Sequence, residues 1–381
     1  MLVRMRASWW LVGLALVGGC RLGFDPMERP DAVDCAVTIS PNPARVNFNS
    51  RLTFSADGGE PGYQFAIVTD GKASIEAATG ELTAGAHAGT ATVEVKDAAG
   101  CRASVDVVIG GDTLWFAGGS TAAVPSREIW RSTNGIDWTL AGLLPLRRTN
   151  GVLVSFRDQL LYIAGSDATP VATVFASPDG ITWSLIGSLP EPASSFGFAI
   201  HRGLMFVVGG NGNADNVFSS SDGVTWTTAG HLPDPNHGGS LVSFEDRLWY
   251  VGGHNGTLYD WVLASSDGSI WTRKGSIPLA REYHAALIRD GAMWIIGGQD
   301  TMPTKLSDVS TTTNGADWTS ITSLPMGRAF GPIATFAGRL WSLGGNDLGG
   351  VWSTTGTAWT VDSTTFPAPR QGGATAVFTP R

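Results

Sequence analysis

Beyond residue 113 the chain repeats a short apolar run that ends in small residues. The first copies read Leu114-Trp115-Phe116-Ala117-Gly118-Gly119, Leu161-Tyr162-Ile163-Ala164-Gly165 and Met205-Phe206-Val207-Val208-Gly209-Gly210. Further copies start at Leu248, Met293 and Leu340, giving a spacing of about 45 residues. A continuous apolar run of this length predicts a strand buried on both faces. Downstream of each run a glycine stands three residues before a tryptophan: Gly135/Trp138, Gly180/Trp183, Gly223/Trp226, Gly268/Trp271, Gly315/Trp318 and Gly356/Trp359. All but the last of these glycines follow Asn or Asp, the pairing that two-residue hairpin turns require. A proline then closes each unit, at Pro145, Pro190, Pro233, Pro278, Pro325 and Pro367.

Each unit therefore reads as four strands: an inner strand of small residues, the apolar run, a strand entering the Asx-Gly turn, and a strand leaving it. The register is offset at the ends. The repeats begin with an apolar run at Leu114 and finish on an inner-strand pattern, Ala374-Thr375-Ala376-Val377-Phe378. The last strand is thus expected to complete the first unit, removing the open edges of a stack of sheets. Between Cys35 and Ile109 the pattern is different. Runs such as Thr90-Ala91-Thr92-Val93-Glu94-Val95 and Ser104-Val105-Asp106-Val107-Val108 alternate with period two, and Gly58-Gly59, Pro61-Gly62 and Ala99-Gly100 punctuate them. Some seven short strands are expected there.

Composition agrees with an all-β chain: 50 of the 381 residues are glycine and 15 are tryptophan. The formal net charge is -8, and only Lys274 and Lys305 are lysines beyond Gly111. No basic stripe exists to release counterions, which excludes a nucleic-acid partner.

The six units resemble kelch repeats, with the double glycine and the downstream tryptophan in place. The resemblance implies a six-bladed kelch-like β-propeller over 111–381. It departs from the family where a tyrosine usually precedes the tryptophan, and where Ala164-Gly165 replaces the glycine pair. Residues 35–110 resemble a bacterial Ig-like β-sandwich, carried by Gly59-Glu60-Pro61-Gly62-Tyr63 and Ala78-Thr79-Gly80-Glu81-Leu82. Cys35 opens the first strand of that region and Cys101 opens the last. If those strands are neighbours, a disulfide closes a loop of about 66 residues, worth on the order of 4 kcal/mol in the chain-entropy model. Two separate thiols are the alternative.

Arg4 and Arg6 precede a short apolar stretch, Trp9 to Val17, too short to span a bilayer comfortably. It ends in Leu16-Val17-Gly18-Gly19-Cys20, which resembles a bacterial lipobox. The resemblance implies a signal peptide (1–19), acylation of Cys20 including an amide-linked chain such as palmitate, and a tether (20–34) rich in proline and acids. A membrane anchor in the cell envelope follows from it. Arg21, with no aspartate after the lipid cysteine, points to the outer membrane by the enterobacterial sorting rule.

Topology places the segments after the glycine pairs and after the prolines on one side of the propeller, around the mouth of its channel. Third after each proline stand Arg148, Ala193, Asn236, Arg281, Arg328 and Arg370, with His237, Tyr283 and His284 beside them. Kelch propellers commonly use this arginine position in ligand pockets. Four guanidiniums at one mouth suit a carboxylate or phosphate. The other reading has them bonding loop carbonyls between neighbouring blades. Asn211, His254, Gln299, Asp300, Asn346 and Asp347 follow the glycines.

The expected role is binding of a glycan, an anionic small molecule or a protein, with no catalytic residues and no cofactor. The Asx-Gly-x-x-Trp turns are similar to sialidase Asp-boxes but one residue shorter, and such boxes lie away from catalysis. No cysteine is available for a galactose-oxidase-like copper site, and the histidines show no linear ligand spacing, so no metal is expected. The alternative is a six-bladed kelch enzyme acting on acidic sugars, similar to a sialic-acid mutarotase, with Glu282 or His284 as acid/base.

Overall fold

A computed structural model describes residues 35–46, 50–69, 73–85, 89–212, 214–346, 349–356, 358–363 and 369–379. The leader, Cys20, the tether, Asp347 and Pro367 lie outside the described residues. All regular structure among the described residues is β.

The strands from Thr38–Ser40 to Arg102–Ile109 number nine, more than the sequence pattern suggests. Pro41 and Pro43 cannot donate to a ladder, so the first expected strand is split. Its first half, Thr38–Ser40, pairs with Ser55–Asp57, and its second half, Ala44–Val46, runs parallel to Arg102–Ile109. These strands share one core around Phe54, Leu82, Val93 and Val107. That parallel pairing brings the two openings together, and Cys35 is bonded to Cys101 with Cα atoms 5.3 Å apart.

From Thr113 onward the described strands form six antiparallel sheets with four strands each, five of them in sequence order and the first taking its inner strand from the C-terminal segment, the second sheet carrying an extra two-residue strand, Ser166–Asp167. This is the arrangement of a β-propeller. The apolar runs form the second strands, such as Leu204–Val208 and Arg247–Val251. Alternate residues of one run enter different cores, because a strand's side chains point to opposite faces. Met205 and Val207 pack with Leu161 and Ile163 of the preceding sheet, whereas Phe206 and Val208 pack with Leu248 and Tyr250 of the next. Six such cores join each sheet to its neighbour, and the last one packs Leu114 and Phe116 against Trp341 and Leu343. The circle is closed by strand pairing as expected: Gln371–Phe378 pairs antiparallel with Thr113–Thr121.

The outer turns follow one local scheme. In Ser220-Ser221-Asp222-Gly223, the Ser220 hydroxyl accepts from the Gly223 amide at 2.8 Å. The Asp222 carboxylate accepts from the amides of Val224 and Thr225 at 2.8 and 2.9 Å, and these bonds hold it below the usual carboxylate range. Trp226 returns its indole N–H to the Gly223 carbonyl. The serine, aspartate and tryptophan are thus consumed in shaping the turn. Packing fixes the glycine too: a Cβ on Gly180 would lie 2.4 Å from the ring of Trp115 in the neighbouring sheet.

Candidate functional site

The crossovers from one sheet to the next converge on one mouth of the channel, where they interlock. Ser195 donates its backbone N–H to Asn150, Gly238 to Ser195, Tyr283 to Gly238, Phe330 to Tyr283, Gly372 to Phe330, and Asn150 back to Gly372. These six bonds, between 2.6 and 3.0 Å, make a closed collar of main chain. Every collar residue has positive φ, from 53° at Asn150 and Tyr283 to 68° at Gly238. Glycine meets that demand without strain, and Gly238 and Gly372 do so; Ser195, Tyr283 and Phe330 hold side chains there at a cost. Inside the collar the inner strands surround a cavity of about 280 Å³ lined by Val152, Phe198, Leu241, Ala286, Ile333 and Thr375. Small residues start those strands because there is no room for more: a Cβ on Gly373 would meet Phe116 at 2.0 Å.

The four arginines occupy equivalent places but not the mouth. Arg148, Arg281, Arg328 and Arg370 are between 0% and 4% exposed. Each reaches sideways into the next sheet. Arg281 forms a fork with Asp308 at 3.0 and 2.8 Å and donates to the carbonyl of Gly297. Arg370 bonds Glu128 and the carbonyl of Gly118. Arg328 donates to Ser342 and to the Gly350 carbonyl, with its guanidinium 3.4 Å from the ring centre of Trp352. Burial pulls its pKa down to about 9. Arg148 donates to Thr173 and to its own neighbour's carbonyl. Asn236 takes the same place with a shorter reach, donating to Gly252 and accepting from His254. The positive mouth expected from these residues is therefore absent: they clamp sheet to sheet, because the backbone turns into the inner strand only after the side chain has been buried.

His284 is corrected as well. It is 6% exposed and wedged against Gly252 and Gly298, where added Cβ atoms would meet it at 2.8 and 2.9 Å. Burial, with Arg281 nearby, lowers its pKa to about 3. The residue borders the cavity, but both ring nitrogens are enclosed, whereas Glu282 is only half-buried.

The mouth keeps Tyr283 and His237 of the expected residues and adds Phe330 and Lys305. Tyr283 and Phe330 stack with ring centres 3.8 Å apart and planes inclined by 25°. Lys305 lies 5.5 Å above the Phe330 ring and donates to the Gln299 side chain. Gln299 in turn donates to Glu282 at 2.7 Å. Burial and the neighbouring Glu282 raise the Tyr283 pKa to about 12, so it stays a neutral phenol. His237 approaches His254 with 3.2 Å between Nε2 and Nδ1, and Glu282 completes a trio whose ligand atoms all lie within 4.8 Å of one another. The histidines show no linear ligand spacing, yet isolated bridges His237↔His254 and Glu282↔Gln299 bring these segments together in three dimensions. Phe330 carried no sequence signal of its own; its offset of two from the buried arginine, shared by Asn150, Tyr283 and Gly372, is the periodicity that marks the collar.

No protein-family model and no curated protein matches the chain. Among solved structures it is similar to the one titled "Structure of YjhT", with a TM-score of 0.53 and 16% identity, covering 65% of this chain and 96% of that one. The likeness shows the fold, a kelch-like β-propeller.

Proposed function

We propose that the chain is an envelope-anchored binding protein. In this reading, lipid on Cys20 and the tether carry an immunoglobulin-like sandwich (35–110), which presents a six-bladed propeller (111–381) whose collar mouth takes a sugar. One observation carries the ligand assignment. Tyr283 and Phe330 keep large rings at left-handed backbone positions where glycine would relieve strain, and they stack on each other at the mouth, where Asn150 and Ser195 line the same cavity and Lys305 lies over Phe330. Strain of about 1–3 kcal/mol per residue is retained chiefly at ligand sites. An aromatic face with a few convergent polar groups is a recognition surface for a ring that is apolar on its faces and hydroxylated at its edge. With the arginines buried, a strong preference for anions is not expected.

Tyr283→Gly separates ligand binding from folding. Glycine suits φ of 53°, so strain is released while about 0.5–1.5 kcal/mol of ring stacking is lost. The melting temperature should change by a few degrees at most, and affinity for a sugar found by titrating the full chain with neutral and acidic oligosaccharides in EDTA should fall tenfold or more. Unchanged affinity would sink the reading. A second reading, a mutarotase-like enzyme, is favoured by Glu282, which pairs with no arginine among the described residues, at the same mouth, and by the propeller fold itself. Anomer interconversion abolished by Glu282→Gln with binding retained would establish it. For the anchor, a fatty-acid analogue should label the wild type and not Cys20→Ser; equal labelling excludes lipidation at that residue.

A further inference from the structure

We propose that His237, His254 and Glu282 form a binding site for a divalent transition cation such as Zn²⁺. The proposal is independent of the sugar reading. Two imidazoles and a carboxylate are a donor set that zinc accepts while keeping a position open. Ligand nitrogens on a tetrahedral zinc, at bond lengths of about 2.0–2.1 Å, stand about 3.3 Å apart. The observed 3.2 Å between His237 Nε2 and His254 Nδ1 matches that separation without rearrangement. The ring planes are nearly perpendicular, at 86°. All three side chains are half-buried, so a cation would exchange some water for protein ligands without being sealed off.

The main chain holds the corner rigidly. His237 and Glu282 each immediately precede a collar residue, and the Tyr283 amide donates to the Gly238 carbonyl at 2.7 Å, tying the two segments together. His254 is fixed opposite His237 by reciprocal amide bonds of 3.1 and 2.9 Å. The carboxylate is oriented by Gln299, which Lys305 holds from behind, the layered support typical of metal ligands. Lys305 is the one cost, a cation near the site, though its ammonium is spent on Gln299 rather than on Glu282.

The corner is not an architectural by-product. Equivalent bridges at other crossovers carry Thr149 with Ser166 and Ser194 with Asn211, none of them a strong transition-metal ligand. Among the described residues this trio is the group of three or more potential ligands so closely spaced. His237 and Glu282 lie on two crossovers between sheets and His254 on the loop joining the second and third strands of one sheet, which is why no linear motif announces the trio.

The test uses the full chain, stripped with EDTA and titrated calorimetrically with ZnCl₂. One equivalent should bind, and millimolar Mg²⁺ or Ca²⁺ should not compete, since those ions prefer all-oxygen sites. His254→Ala and Glu282→Gln should each weaken binding more than tenfold, Gln299→Ala should weaken it by about 10–100-fold as a supporting residue, and His231→Ala, at the outer pair with Asp215, should leave it unchanged. Co²⁺ provides a readout that does not depend on affinity: visible absorption of a low-coordinate site should appear in the wild type and vanish in His254→Ala. If His254→Ala fails to fold, His237→Asn with the same Co²⁺ readout serves instead. No saturable Zn²⁺ binding, or one equivalent that survives the His254, His237 and Glu282 variants, overturns the proposal and leaves the histidines as an imidazole pair.

Discussion

Removal of residues 373–381 is expected to abolish the folded propeller. The strand Gln371–Phe378 is the inner strand of the first sheet and pairs with Thr113–Thr121 along its length. Its buried side chains, Ala374, Ala376 and Phe378, complete the core that contains Trp115, Tyr162 and Phe175. The Trp115 indole also donates to the Phe378 carbonyl, and Thr375 donates to the carbonyl of Trp115 at 2.7 Å. Phe378→Ala alone should cost about 3–5 kcal/mol, the usual range for emptying a buried aromatic site. Loss of the whole segment adds a bare strand edge facing the channel and breaks the circle of inter-sheet cores. The total is comparable with the roughly 5–15 kcal/mol by which domains are stable at all. The truncated chain should therefore show no cooperative thermal transition in near-ultraviolet circular dichroism, and should elute as oligomers through edge pairing. A monomer that melts at the wild-type temperature would mean that closure does not depend on this strand.

The second large effect is at Arg281. Arg281→Ala should destabilise the protein by about 2–3 kcal/mol, because it removes a fully buried guanidinium and leaves the Gly297 carbonyl without its donor, while Asp308, 36% exposed, can return to water. At roughly 2–4 °C per kcal/mol for a domain of this size, the melting temperature should drop on the order of 10 °C. Arg281→Lys should recover little of this, since an ammonium cannot reproduce the two-pronged contact with Asp308. Ligand affinity at the collar mouth should be unaffected when measured well below the melting temperature. The opposite pattern, lost affinity at unchanged stability, would return the arginines to the ligand site.

Both expectations bear on what was legible before the fold was known. The four-strand unit, the Asx-Gly turns and the joining of the two ends are local or pairwise features, and the spacing of Leu114, Gly135 and Trp138 through to Phe378 carries them. They follow from strand periodicity and from the positive φ that a two-residue turn requires, neither of which needs a neighbour's coordinates. The placement of Arg148, Arg281, Arg328 and Arg370 near the mouth was also legible, but the direction of their side chains was not. Whether a guanidinium meets solvent or Asp308 depends on the path of the next sheet, which is a property of packing. The same holds for the collar. Its six members are offset by two from those positions, yet only convergence of all six crossovers lets each amide find the preceding carbonyl. His237, His254 and Glu282 are the extreme case. Their separation along the chain carries no pattern: His237 and Glu282 meet because neighbouring crossovers converge, and His254 joins them because the loop within one sheet pairs with the crossover that enters it.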